Sequence, residues 1–190
     1  MGILIDTEDF KNQDLYAKYY IPFSSKVCGS EEKLKGYIER YEKKYLIQLL
    51  GVELSKLFIA DLVDQVPQTD IYLDIYNSIQ EDLTTGSVSY SDYCGCDREI
   101  LCTNGMKSMI LGFVFFEYMR DQPYQKDLTG VNRSKAENST DREVLPNEWG
   151  LFEYYNESIS DYQQTQYYIL LNKENYSLFN GVKKRIGSPF

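Results

Sequence analysis

Apolar positions along the chain fall into helical blocks separated by polar breaks, and the first clear block opens at Ser30. Ser30 stands where a helix N-cap is wanted, with Glu31 and Glu32 at the positive end of the helix dipole. From there Leu34, Tyr37, Ile38, Tyr41, Tyr45 and Leu49 recur at spacings of three and four. That predicts one buried face of a helix over 31–50, stopped by Gly51. The run "VELSKLFIADLVDQV" predicts a shorter second helix ended by Pro67. Thr69 and Asp70 should cap a third, whose residues Ile71, Ile75, Tyr76, Ile79 and Leu83 carry it to near Gly86.

Residues 84–103 read as a Ser/Thr/Gly/Cys loop with a short strand or turn. The strongest helix follows over 104–122, "NGMKSMILGFVFFEYMRDQ", ended by Pro123. Positions 109–119 are apolar on every side except Gly112 and Glu117, which places this helix at the centre of a bundle. Pro146 suits the first turn of a last long helix reaching about 171. Its stripe is Leu151, Tyr155, Ile159, Tyr162 and Ile169, broken by Gln166.

Residues 1–30 lack a sustained period and contain Pro22, so an extended or partly helical N-terminal arm is expected. Its Tyr16, Tyr19, Tyr20 and Phe23 must bury against something. The tail, 172–190, has Tyr176 and Phe179 as aromatic anchors and then the basic trio Lys183, Lys184 and Arg185. The expected fold is all-α: about four helices in a domain over 31–171, with the arm, the tail and a loop inserted over 124–145. The chain holds no internal repeats and no low-complexity tracts.

That inserted loop contains "DLTGVNRSKAENST", 127–140, which is too polar to build a core of its own. Loops this long and polar inside a compact domain serve a partner or stay disordered.

Composition narrows the function. A hydrophobic content of 43% with 15% aromatics is too high for a disordered chain. The aromatics are eighteen tyrosines, nine phenylalanines and one tryptophan. Tyrosine joins a large apolar area to one polar tip, so it suits either a core or a surface buried against another chain. The net charge of −9 opposes general binding to the nucleic-acid backbone, because an acidic surface repels phosphate. The trio at 183–185 could touch phosphate, but reads better as a solvated tail.

The first ten residues, "MGILIDTEDF", lack the basic start and apolar core of a signal peptide, and Asp6 stands where myristoylation wants Ser or Thr. The apolar run 109–119 falls short of the roughly 20 residues that span a bilayer. The expectation is a soluble chain made in the cytoplasm, without membrane contact, so the sequons at Asn138, Asn156 and Asn175 carry no meaning.

Chemistry is sparse. The absence of histidine removes the commonest general base and metal imidazole. No phosphate-cradling glycine loop and no nucleophile elbow occur. Cys94, Cys96 and Cys102 cluster in "YCGCDREILC", and a zinc site would need Cys28 as fourth ligand; reduced, partly buried thiols fit better. The pairs Glu31/Glu32, Asp61/Asp64 and Glu81/Asp82 read as solvated helix faces. No enzymatic activity and no cofactor are expected.

At "NGMKSMILGFVFFEYMRDQPYQKDLTGVNRSKAENST" the chain resembles the head–tail connector proteins of tailed phages, also called adaptor or head-completion ring proteins. It is most similar to those of crAss-like and related Bacteroidales phages. Three elements carry the likeness: the "YIERYEKKYLIQLLGVELSKLF" block, with a helix breaking at Leu-Gly into another; the apolar helix ending in "FEYMRDQ"; and the "TG-V-R-K-ENS" stretch before a long Tyr-rich helix. It spans roughly residues 30–170, and the cysteine cluster has no counterpart in it.

The resemblance implies a helical subunit of a ring, commonly dodecameric, between the portal protein and a tail-ward ring or tail protein at the tail vertex of the virion. DNA passes through the lumen without sequence-specific binding, and an acidic lining suits that passage. Rings arise from head-to-tail interfaces, so a protruding element needs a receiving surface on its neighbour. Thr129, Gly130, Val131, Arg133, Lys135, Glu137 and Asn138 are then expected at a subunit or portal interface. The inserted loop should be mobile in the free chain and ordered in the ring. Lys183, Lys184 and Arg185 face either DNA or a partner. The alternative is a small intracellular metal- or thiol-dependent protein, or a host-directed binding protein, using the 94–102 cysteines.

Overall fold

A computed structural model describes residues 2–11, 19, 30–82, 100–121, 124–127, 130–133 and 146–183. Five helices occur among them: α1 (Ser30–Leu50), α2 (Val52–Ala60), α3 (Asp70–Tyr76), α4 (Met106–Asp121) and α5 (Pro146–Leu171). Between them run β1 (Leu62–Val63), β2 (Val66–Pro67), β3 (Gln80–Asp82), β4 (Ile100–Cys102), β5 (Tyr124–Asp127) and β6 (Gly130–Arg133). The strands form three separate antiparallel pairs, β1–β2, β3–β4 and β5–β6. The protein is therefore mostly helical with small two-stranded sheets, which amends the all-α expectation.

The helix pair α4–α5 makes the most extensive contact among these elements, and α1 packs across α4. Every residue of α4 from Met109 to Tyr118 is buried, as its all-round apolar pattern requires. At Gly112 an added Cβ would lie 2.0 Å from the Ser158 hydroxyl, so glycine is what lets α5 come this close. Helix α5 is buried all round from Asp161 to Tyr167, although that stretch includes Gln163, Gln164, Thr165 and Gln166.

Those polar side chains hold other segments. Gln164 accepts the Cys102 N–H at 2.8 Å, and Asp161 accepts from the Asn104 side chain at 3.1 Å, fixing β4 and the entry to α4. Gln166 donates to the Leu49 carbonyl at 3.0 Å and to the Val182 carbonyl at 3.2 Å. The Tyr162 hydroxyl lies 2.7 Å from the Gln48 carbonyl and 2.6 Å from that of Val182. The tail completes this clasp: Val182 N–H donates to Gln48 O at 2.7 Å and Asn180 N–H to Leu50 O at 3.3 Å. Three carbonyls that end α1 without helical partners are thus satisfied by distant segments. What looked like a break in an apolar stripe at Gln166 is a buried junction.

Two helices end earlier than their patterns predict. Helix α2 stops at Ala60, and residues 61–67 turn back through Asp64 and Gln65, both at positive φ (49° and 68°), as in a type I′ turn. Asp61 closes this turn by accepting from Gln68 N–H and Thr69 N–H, each at 2.8 Å, and from the Thr69 hydroxyl at 2.6 Å. These bonds, the Thr69 side chain first, lower the Asp61 pKa. Thr69 is the N-cap residue of α3, but its hydroxyl serves Asp61 rather than the helix. Helix α3 ends at Tyr76 because Asn77 is extended and residues 79–82 find partners in the following strand. Ile79 exchanges hydrogen bonds with Thr103, and Gln80 pairs with Cys102. Cross-strand pairing outweighs a helical apolar spacing here.

The start of the chain belongs to the core as well. Leu4, Ile5, Phe10 and Tyr19 are buried. The Glu42 carboxylate accepts the N–H groups of Ile3 (2.6 Å), Leu4 and Ile5 (3.0 Å). Burial pushes the Glu42 pKa up against the pull of these donors. Lys107 on α4 binds Asp9 at 2.8 Å and ties the same segment to the central helix.

Candidate functional site

The inserted loop begins as a β-hairpin. β5 and β6 pair with Tyr124 opposite Arg133, Gln125 opposite Asn132, Lys126 opposite Val131 and Asp127 opposite Gly130. Of the expected interface residues, Gly130, Val131 and Arg133 lie on β6, while Thr129, Lys135, Glu137 and Asn138 fall outside the described residues. Among the described elements, neither strand packs extensively on anything but its partner.

The hairpin starts three residues beyond the end of α4, and that end is heavily braced. Glu117 is buried, and its carboxylate accepts the Tyr45 hydroxyl at 2.9 Å and pairs with the Arg120 guanidinium at 2.7 Å. Arg120 also donates to Asp121 at 3.1 Å, and Asp121 accepts the Tyr37 hydroxyl at 2.7 Å. Burial first, and then the Asp121 carboxylate, push the Tyr37 phenol up to about 12. Burial and the Glu117 charge push that of Tyr45 higher still.

Tyr37, Tyr41 and Tyr45 occupy one face of α1 at i, i+4 spacing and stack in sequence at 5.6 and 6.4 Å between ring centres. The stack ends on Phe113, 4.2 Å from Tyr45 and nearly parallel to it. Lys44 and Arg40 lie over Tyr41 at 5.1 and 5.4 Å. The arrangement fixes the last turns of α4 on α1. Each carboxylate is engaged by a phenol and a guanidinium, so its chemistry is to position the start of the hairpin.

A groove of about 430 Å³ lies where the N-terminal segment meets the first half of α1. Its lining includes Asp6, Glu8, Glu31, Glu32 and Glu39, with Lys35 as the cation among them. Lys11 bridges Glu8 and Glu31 at 2.8 Å each, which raises the lysine pKa and lowers that of Glu31. Glu32 and Glu39 are exposed.

The remaining expected sites are only partly in view. Cys102 is a free, exposed thiol on β4, while Cys28, Cys94 and Cys96 lie outside the described residues. Among the described residues, no group of three or more Cys, Asp or Glu side chains could hold a metal. Lys183 is exposed beside the clasp, and Lys184 and Arg185 lie outside the described residues. No helix among the described residues is long and apolar enough to cross a membrane.

No family model, curated protein or solved structure matches the chain. The brace of Tyr37, Tyr45, Glu117, Arg120 and Asp121 was not legible as a unit in the sequence. Its one signal was Glu117, a charge inside an otherwise apolar run, followed three residues later by arginine. A buried acid with a cation at i+3 implies a local pair, but its tyrosine partners come from 72 and 84 residues away.

Proposed function

We propose that this chain is a structural, non-enzymatic subunit of a ring in the particle of a tailed phage, set between portal and tail with DNA passing through its lumen. In this reading its helices form a bundle-like protomer, and the protein resides at the tail vertex. The observation that supports it best is the hairpin 124–133: a polar ribbon standing between the two central helices, unsupported by the described elements of its own domain, on a braced base. A projecting element with a fixed root is what a head-to-tail interface requires. The net charge of −9 fits a lumen through which duplex slides without adhering.

Proteomics of purified particles tests the reading. The protein should be present at a copy number matching a vertex ring, and a density map of the tail vertex should show a helical ring of the corresponding size. Absence from the particle ends the proposal.

A further inference from the structure

The register of the hairpin sorts it by charge. Residues opposite one another share a face and alternate residues change face. Tyr124, Lys126, Val131 and Arg133 therefore lie on one face of the ribbon, and Gln125, Asp127, Gly130 and Asn132 on the other. One face holds both cations and no acid; the other holds the single acid. An isolated two-stranded ribbon is marginally stable in water, so this one needs a third surface. In a chain of net charge −9, a face of this sign finds its complement on the same protein.

The groove beside α1 is the concave surface of opposite sign: five carboxylates and one lysine line it, and no residue of the hairpin does. We propose that the Lys126/Arg133 face of the hairpin docks into the groove of a second copy of the chain. This rests on the ring reading and deepens it, by naming the two halves of the subunit contact. The interface is head-to-tail, since the donor surface and the receiving surface differ, and such contacts close into rings. Its strength should fall as salt is added, because exposed charges are screened over about 8 Å at physiological ionic strength.

Two charge-reversed chains test the docking: Lys126→Glu with Arg133→Glu, and Glu32→Lys with Glu39→Lys. Sedimentation at low ionic strength should show each variant self-associating at least about tenfold more weakly than the parent. An equimolar mixture should recover association, because each variant then meets a complementary surface on the other. Melting temperatures of both variants should match the parent. In a mixture of isotopically heavy and light parent chains, a zero-length carbodiimide cross-linker should join Lys126 to Glu32 or Glu39 in peptides of mixed label.

A parent chain that stays monomeric and gives no mixed-label links overturns the docking, as do links confined to one label. A mixture that fails to recover does the same. Loss of association in the hairpin variant alone also overturns it, by placing the receiving surface elsewhere, while leaving the ring reading standing. Salt-sensitive duplex binding by the parent, lost in the hairpin variant while the groove variant associates normally, would assign the cations to DNA instead. Absence from particles sinks the ring reading separately.

Discussion

The Tyr45 hydroxyl donates a 2.9 Å hydrogen bond to the Glu117 carboxylate across the interface of α1 and α4, with both side chains buried. Removing that hydroxyl in Tyr45→Phe leaves the carboxylate with fewer donors in a site closed to water. Hydrogen bonds to charged groups contribute about 1.5–3 kcal/mol, so stability should fall by about that amount. Urea unfolding should show a lower midpoint with an unchanged slope, since the exposed surface is the same.

The same brace predicts alkaline lability. Tyr37, held at about 12 in the fold, titrates near 10 when unfolded. The folded state binds the phenolic proton more tightly. Its contribution is therefore fully present below pH of about 10 and is lost as pH rises through about 12. Tyr45 and Tyr176, raised further by burial, act in the same direction. Phenolate absorbance should rise together with loss of helical circular dichroism, and Tyr37→Phe should weaken the pH dependence of stability in that window. Phenolate formation with the helices intact would contradict it.

Glu42 is the anchor of the N-terminal segment. In Glu42→Ala three N–H groups, those of Ile3, Leu4 and Ile5, lose their acceptor. Each buried unsatisfied donor costs about 1–3 kcal/mol, so destabilisation of roughly 3 kcal/mol or more is expected. Limited proteolysis should then cut the first eleven residues from the variant and spare them in the parent.

Gly51 joins α1 to α2 at φ 84°, and a Cβ there would lie 2.8 Å from the Asn180 backbone. Gly51→Ala therefore strains the turn and pushes the tail off the α1 carbonyls. A loss of at least about 1–2 kcal/mol follows from the left-handed conformation alone. Hydrogen exchange at the Asn180 and Val182 amides should speed up; unchanged protection there would show that the tail docks independently of the turn.

The helices with complete sequence signals were legible with their boundaries. α1 has an expected N-cap, a three-four apolar face and a terminal glycine, and it runs from Ser30 to Leu50. α5 starts at Pro146 and ends at Leu171, as its pattern required. The patterns of α2 and α3 overran because apolar spacing cannot register competition from a turn or a strand. Asp61 closes one stop and Thr103 pairs across the other, and neither partnership is local.

By itself, then, the sequence determined the mostly helical class, the central place of α4, the long last helix and the polar character of the insertion. Helical periodicity and capping act over a few residues and leave their mark in residue order. Only the tertiary structure decided that the N-terminal segment lies in the core, that Gln166 is a junction and that Glu117 braces the start of a hairpin. Each of these depends on a buried polar atom finding a partner far along the chain. The need for a partner follows from desolvation and could be anticipated from the residue type; which residue meets it is set by how the helices pack.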